Sequence, residues 1–396
     1  MTHHSFRIVR SSADSAARAG ELVTPHGRVL TPVFTPVGSQ GTVKTLTPEE
    51  IRSAGASLVL ANTYHLYLRP GIEVIERLGG IHRFMVWNGP ILTDSGGYQI
   101  FSLSPLCRVT DDGVTFRSHI DGSEHFLTPE LVIHYQEALG ADIIMVLDEC
   151  PAYEESYEKI EQALMRTHRW AGRCRQAHQR DDQALYAIVQ GGVYPELRRR
   201  SAEYLTSLDF AGYALGGLSI GEPKEVTFTV VAETVPFLPE HKPRYLMGVG
   251  SPEDIVAGVD RGIDIFDSAL PTRVARNGAL FTWQGRCNIH NAAFRQMDQP
   301  LVADCDCYTC RTFSAAYLHH LFKCQELLAY RLATIHNLSF INSLMRKIRE
   351  AILEGTFSRF RDDFLKNYRP TDELTRINQK QRWRNSRKVN EQPLPD

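Results

Sequence analysis

Between Val33 and Asp267, eight apolar runs of strand length alternate with helical stretches, and this alternation constrains the fold more than any other feature. The runs are Val33–Val37, Ser57–Ala61, Ile91–Asp94, Ile143–Asp148, Leu185–Gln190, Tyr213–Leu218, Tyr245–Val249 and Ile263–Asp267. Short apolar runs bounded by turn residues suit parallel strands buried on both faces. The intervening stretches open on Thr47-Pro48-Glu49-Glu50, Thr128-Pro129-Glu130, Tyr194-Pro195-Glu196, Glu222-Pro223-Lys224-Glu225 and Ser251-Pro252-Glu253-Asp254. Proline in the first turn with acids beside it favours a helix start, sterically and through the helix dipole. Eight such units predict an α/β chain folded as a (β/α)8 TIM barrel, with a doubly wound open sheet as the alternative.

Three of the runs end in aspartate, at Asp94, Asp148 and Asp267. One terminal aspartate is as readily a helix cap as a functional group. Three at equivalent strand ends point to a shared site at the mouth of the barrel, where such folds keep their chemistry. Asp267, followed by the loop Ser268-Ala269-Leu270-Pro271-Thr272-Arg273, reads as a nucleophile. Asp94 could share the work as acid/base, as paired carboxylates do in glycoside hydrolysis.

Asp94-Ser95-Gly96-Gly97-Tyr98-Gln99 sets a carboxylate and a hydroxyl beside two glycines that let the backbone approach a ligand. Gln190-Gly191-Gly192 and Gly216-Gly217-Leu218 repeat the device at two further strand ends. Together Asp148, Gln190 and the Gly217 amide offer the acceptor and donors that a guanine edge requires. From Pro271 to Met297 there are four arginines (Arg273, Arg276, Arg286 and Arg295) and no acid, a local cationic surface suited to phosphates. The Arg198-Arg199-Arg200 cluster, with Glu196 and Glu203 nearby, reads as solvated.

The 396 residues carry a formal net charge of −2, so a polyanion would have to meet a local patch rather than a global field. No window has the apolar length of a membrane span and the first residues lack a signal-peptide centre, so a cytoplasmic location is expected. Eight cysteines are too sparse for a disulfide scaffold, yet three crowd into Cys305-x-Cys307-x2-Cys310. That spacing predicts zinc, with His319, His320, Cys324 or His336 as fourth ligand, and a closed site of this kind is structural.

Residues 1–32 are expected to cover one end of the core, Phe6–Arg10 and Val29–Phe34 pairing as a hairpin around a mobile Ala- and Ser-rich stretch with a turn at Thr24-Pro25-His26-Gly27. The barrel is assigned to residues 33–368. Arg108–Leu127 reads as inserted β-hairpins, and Asn277–Asn337 as a long insertion whose zinc-binding part spans about 286–338. Ser339–Leu353 is expected as the final helix, and residues 369–396 as a frayed basic tail carrying Lys380, Arg382, Arg384, Arg387 and Lys388.

These motifs, in this order and over nearly the whole chain, resemble the bacterial tRNA-guanine transglycosylases, the queuine tRNA-ribosyltransferase family. The resemblance implies a pentosyltransferase of queuosine biosynthesis that exchanges the wobble guanine of GUN-anticodon tRNAs, those for aspartate, asparagine, histidine and tyrosine, for 7-aminomethyl-7-deazaguanine. It implies that Asp267 forms a covalent bond to tRNA and that Asp94 accepts and donates the proton. Ser95, Gly96, Gly97, Asp148, Gln190, Gly217 and Leu218 would hold the base, with Tyr98 and Met247 stacked on its faces. Gly248, Val249, Gly250, Ser251, Pro252, Glu253 and Asp254, with Thr272, Arg273, Val274, Ala275 and Arg276, would meet the anticodon loop. Stacking and edge contacts to an unstacked loop base are how proteins usually read RNA.

The likeness further selects His336 as fourth ligand of one structural zinc and implies a homodimer formed through the zinc region. Ile220 and Cys150 match the bacterial base pocket, and Leu218-Ser219 with Glu222 would sense the aminomethyl group. A non-catalytic partner subunit is the rival from another class, disfavoured because both Asp267 and Asp94 are present. A sugar glycosidase is disfavoured by the acid-free basic stretch after Asp267.

Overall fold

The computed structural model describes residues 4–103 and 107–370. Its centre is a closed barrel of eight parallel strands: Val33–Gly38, Val59–Asn62, Ile91–Asp94, Ile143–Met145, Ala184–Val189, Gly212–Leu215, Arg244–Leu246 and Ile265–Ser268. The eighth pairs with the first through Ile265↔Val33 to Ser268↔Pro36, and the third with the fourth through Leu92↔Ile143, so no barrel edge is left open. The predicted TIM barrel is therefore the observed one. Residues of the third to sixth strands are buried throughout, as strands covered by helices outside and packed side chains inside must be.

All five predicted helix starts hold: Pro48–Ser53, Pro129–Leu139, Pro195–Ser207, Lys224–Thr234 and Pro252–Asp260. Thr47 and Glu50 form a reciprocal capping box, and Thr128 caps its helix by accepting from the Leu131 amide. Strand ends differ from expectation by up to three residues, and the third strand matches at both ends. The fourth ladder stops at Met145, before Asp148, and the sixth at Leu215, where Gly216-Gly217 turns the chain.

The N-terminal segment departs from the expected hairpin. Arg18–Thr24, within the stretch expected to be mobile, is a central strand flanked by Ser5–Ser11 and Gly27–Thr31 in an antiparallel sheet. Its residues are mostly buried because they pack on the barrel floor. Two contacts fasten it there. Arg18 makes a buried bidentate pair with Asp264, at 2.9 and 2.5 Å, just before the eighth strand. His26, in the predicted turn, stacks on His82 with ring centroids 3.6 Å apart, and both rings meet Asp142 at 2.9 and 3.0 Å. Burial would raise the Asp142 carboxyl, but donors from His82, Ile91 and His26 outweigh it and hold it down at about 2.

The hairpin insertion is a three-stranded antiparallel sheet of Cys107–Val109, Val114–Arg117 and Glu124–Leu127. Beyond the barrel, a hairpin of Ala279–Thr282 and Gly285–Asn288 leads to the helices Tyr308–Thr312 and Ala315–Lys323. The predicted final helix is longer than expected, running Leu327–Glu354, and a further helix follows at Phe357–Asn367. Its early start is set by His336 and Asn337, both fully buried and bonded to the preceding hairpin. The basic tail beyond Pro370 lies outside the described residues. Among the described residues, no helix is long and apolar enough to cross a membrane.

Candidate active site and metal centre

The predicted site residues cluster at the C-terminal ends of the strands, in the turns that follow and in the first turns of the helices beyond. Gly97 and Tyr98 open Gly97–Leu103, and Pro252, Glu253 and Asp254 open Pro252–Asp260. The stretch expected as a loop after Asp267 is largely the helix Leu270–Arg276, which proline in its first turn allows. Asp267 occupies the third position of the eighth strand. Its Oδ1 accepts from Tyr245 Oη at 2.6 Å and from the Gly248 amide at 2.8 Å. Among the described residues both bonds fall on Oδ1, so Oδ2 keeps its lone pairs for an electrophile. Burial raises the Asp267 carboxyl above the ordinary carboxylate value, against the two donors. Tyr245 is a residue the sequence reading passed over. As an apolar-looking strand position it carried no polar signal, and only the register of the seventh strand against the eighth brings its hydroxyl to Asp267.

Asp94, buried at the end of the third strand, is held by a ring of donors. Asn62 Nδ2 bonds Oδ2 in a short contact, the Thr63 amide reaches Oδ1 at 3.1 Å, and Gln99 Nε2 reaches Oδ2 at 3.0 Å. Asn62 ends the second strand at the same height as the aspartates, but an asparagine before a helix reads first as a cap, and it also caps Thr63–Leu68. Burial pushes the Asp94 carboxyl up to about 8; the neighbouring charges of Asp267 and Asp148 add to this, and the Thr63 and Gln99 bonds oppose it. Asp94 and Asp267 each stand at the C-terminal end of a barrel strand.

Asp148, Ser95, Gly97, Gln190 and Gly217 form one contiguous surface. Gln190 Nε2 donates to Asp148 Oδ2 at 2.7 Å, and Ser95 Oγ to Oδ1 at 3.4 Å. Burial pushes the Asp148 carboxyl up to about 6 despite those donors. A Cβ on Gly97 would stand 2.7 Å from the Asp148 carbonyl oxygen, so only glycine lets that helix start lie against the carboxylate. Gly217 has φ +66°, and a Cβ there would stand 2.4 Å from Gln190 Oε1. A side chain at Gly217 would therefore displace Gln190.

Leu218 is buried beside this surface, Met247 is partly buried and Tyr98 is half exposed. Burial pushes the Cys150 thiol up to about 12. Glu222 accepts from the amides of Ser219, Ile220 and Gly221 and from Thr227 Oγ1, so its carboxylate is committed to its own loop.

In the two segments expected to meet RNA, Gly248 and Arg273 are exposed, whereas Val249, Gly250, Pro252, Thr272 and Ala275 are buried and shape the backbone. Ser251 and Val274 are partly buried. Glu253 and Asp254 both take Lys224 Nζ at 2.7 Å, which neutralises acids that would repel phosphate. Arg276 donates to the Thr272 carbonyl at 2.8 Å.

The arginine cluster corrects the sequence reading. Arg199 and Arg200 pair on the surface with Glu203 and Glu161 as expected of solvated residues, but Arg198 is 1% exposed. It points under the strand ends, donating to the carbonyls of Gly192, Val189 and Gly216. Helical periodicity could have found it, since Arg198 shares a face with Leu197, Ser201, Ala202 and Leu205, all buried.

The metal candidates converge on His336. Its Nδ1 lies 3.8, 3.6 and 3.4 Å from the sulfurs of Cys305, Cys307 and Cys310. A tetrahedral zinc would set sulfur and nitrogen about 3.6 Å apart. His336 Nε2 meets the Phe281 carbonyl at 2.8 Å, which fixes that nitrogen as the donor and leaves Nδ1 to the metal. The other candidates are elsewhere: His319 is bonded to the Ile289 carbonyl, and His320 lies beside Cys324 in an exposed pair.

A family model for queuine tRNA-ribosyltransferase matches residues 13–370. The chain belongs to the queuine tRNA-ribosyltransferase family. A relative of that name from Dehalococcoides mccartyi is 61% identical over 379 residues, covering 96% of this chain and 97% of the relative. Those from Pelotomaculum thermopropionicum and Moorella thermoacetica, both also called queuine tRNA-ribosyltransferase, are 58% and 54% identical, each covering 92% of this chain and 98% of the relative. Family membership spans the barrel mouth and the cluster of three cysteines and one histidine alike.

Proposed function

We propose that this family member is a tRNA-guanine transglycosylase that replaces the wobble guanine of GUN-anticodon tRNAs by 7-aminomethyl-7-deazaguanine. The observation that carries the reading is the placement of two buried carboxylates at strand ends of one barrel: Asp267 is held through Oδ1, leaving Oδ2 for attack, and burial raises the Asp94 carboxyl to about 8. Asp267 Oδ2 attacks ribose C1′ and the C1′–N9 bond breaks. Asp94 gives its proton to N9 of the departing guanine, then as carboxylate takes the N9 proton of the incoming base. That base attacks C1′, the bond to Asp267 breaks, and two inversions restore the original anomer. No redox or nucleotide cofactor is needed, because one glycosidic bond replaces another.

Asp148 accepts the N–H groups of the base edge, while Gln190 and the Gly217 amide serve its carbonyl; Ser95, Gly96, Gly97 and Leu218 close the pocket, with Tyr98 and Met247 stacking on the base. The segments Gly248–Asp254 and Thr272–Arg276 take the anticodon loop, Arg273 and Arg276 supplying charge. Zinc, held by Cys305, Cys307, Cys310 and His336, is structural, since four protein ligands leave it no open position. We assign residues 33–368 to the barrel with its insertion, place the protein in the cytoplasm with its tRNA, and propose a homodimer through the zinc region, where Tyr308 and Tyr317 are exposed.

The pH dependence follows from Asp94. Its carboxyl is raised in the fold, so the protonated form prevails below about pH 8 and is lost above it. Adduct formation with guanine release, which uses Asp94 as acid, is expected to slow as pH rises through about 8, in single-turnover runs from about pH 6 to about pH 9.5. Asp94→Asn, which has no proton to give or take, is expected to lose exchange throughout that range.

Competition tests the choice of base. Unmodified GUN tRNA is incubated with labelled guanine and either 7-aminomethyl-7-deazaguanine or queuine. Stronger inhibition by 7-aminomethyl-7-deazaguanine is expected, and stronger inhibition by queuine would reverse the assignment.

A further inference from the structure

A guanidinium buried without a carboxylate is costly, and Arg198 is such a group. Among the described residues it forms no ion pair; three carbonyl oxygens surround it, at 2.7 Å (Gly192), 2.9 Å (Val189) and 2.8 Å (Gly216), while Nη2 is buried with no hydrogen-bond partner. Burial lowers it to about 10, which still leaves it charged at neutral pH. Those carbonyls end the fifth strand, the Gly191-Gly192 turn and the sixth strand, the segments that bear Gln190 and Gly217.

The Gly216 carbonyl and the Gly217 N–H belong to one planar trans peptide, so they point in opposite directions. A cation that holds this carbonyl from below therefore aims the amide away from itself, towards the barrel mouth. The Gly217 amide acts there on the Cys150 thiol, a weak acceptor that a base carbonyl would outcompete. A charged donor on the carbonyl also polarises the peptide and strengthens its N–H as a donor. Gly217, at φ +66°, has no side chain to hold this peptide in place, and a Cβ there would sit 3.6 Å from Arg198 Nη2. The orientation must come from the carbonyl side.

We propose that Arg198 is a positioning residue for base selection: by fixing and polarising the Gly216–Gly217 peptide, it makes the Gly217 amide select a base carrying a carbonyl oxygen opposite it. The proposal rests on the transglycosylase reading of the site and adds a residue that never touches the base. The effect falls chiefly on the carbonyl edge, which the Gly217 amide and Gln190 serve, whereas Asp148, which faces the N–H groups, is not bonded to Arg198.

Guanine and 6-thioguanine separate these contacts, since both keep the N–H edge and differ only in oxygen against sulfur, a weaker acceptor. Their inhibition constants are measured against labelled-guanine exchange for the parent, Arg198→Met and Arg198→Lys, with folding checked by circular dichroism and zinc content. In Arg198→Met, guanine is expected to weaken by about tenfold and 6-thioguanine by less than about threefold, narrowing the preference. Arg198→Lys, which keeps charge and a donor, should recover part of the guanine affinity. Equal weakening of both bases, an unchanged preference, or failure of both variants to fold would each overturn the proposal in favour of a purely structural arginine. A parent protein that exchanges no guanine would instead count against the transglycosylase reading itself.

Discussion

Asp267→Asn is expected to fold, keep its zinc and lose guanine exchange by at least about 10⁴-fold, because an amide oxygen cannot close the covalent step. The substitution is nearly isosteric. Its Oδ1 can still accept from Tyr245 and the Gly248 amide, so the eighth strand and the loop after it keep their geometry. Burial raises the Asp267 carboxyl, so the substitution also removes a group whose ionised form the fold disfavours. The loss should therefore fall on kcat with tRNA binding retained, the pattern of an interaction made only on the way to the transition state. Exchange kinetics with filter binding of tRNA measure both quantities, and a variant that still exchanges within about tenfold of the parent would remove Asp267 from the chemistry.

The second large effect is expected on stability. Cys307→Ser, or stripping the metal with a chelator, should empty the site and lower the melting temperature by roughly 10 °C, with aggregation. Cys307 is both a ligand candidate and the cap of Tyr308–Thr312, whose Cys310 amide it accepts at 3.4 Å. The cluster ties that short helix to the long helix Leu327–Glu354. Beneath lies a separate apolar core of Leu280, Ile289, Leu318, Phe322, Leu332 and neighbours. Ala275 of Leu270–Arg276 belongs to the same core, so losing the metal should also disorder the arginines that follow Asp267. Metal analysis with calorimetry checks the expectation. Full zinc content in Cys307→Ser would exclude that thiol as a ligand.

The barrel was legible because its signals are local and repeated. Each Pro-started helix and each Asp-ended strand carries its own steric or electrostatic reason, and five helix starts fall where the prolines put them. The spacing of Cys305, Cys307 and Cys310 announced a cluster that could hold a metal ion, but the place of His336 in it depends on a helix packing that spacing cannot express. Arg18–Thr24 was obscured because alanine, glycine and serine around it resemble a linker, whereas its order comes from docking Arg18 onto Asp264, 246 positions away in the chain.

Within the proposed site, the carboxylates and glycines at strand ends were visible in the sequence. The groups that aim them were not. Tyr245 reads as a strand core residue, Asn62 as a cap and Arg198 as surface charge. Each takes its role from a partner on a neighbouring strand or loop. Polar residues that work by orienting others leave little pattern in a sequence, because their chemistry is defined by register and burial.

The central claim is a bond between Asp267 and the tRNA. Stoichiometric protein and unmodified GUN tRNA, denatured during turnover and digested with protease and ribonuclease, give fragments whose masses locate the attachment. A ribose-linked nucleotide on the peptide containing Asp267, absent from Asp267→Asn, is the predicted result; attachment at Asp94, or exchange without any covalent species, would contradict the account.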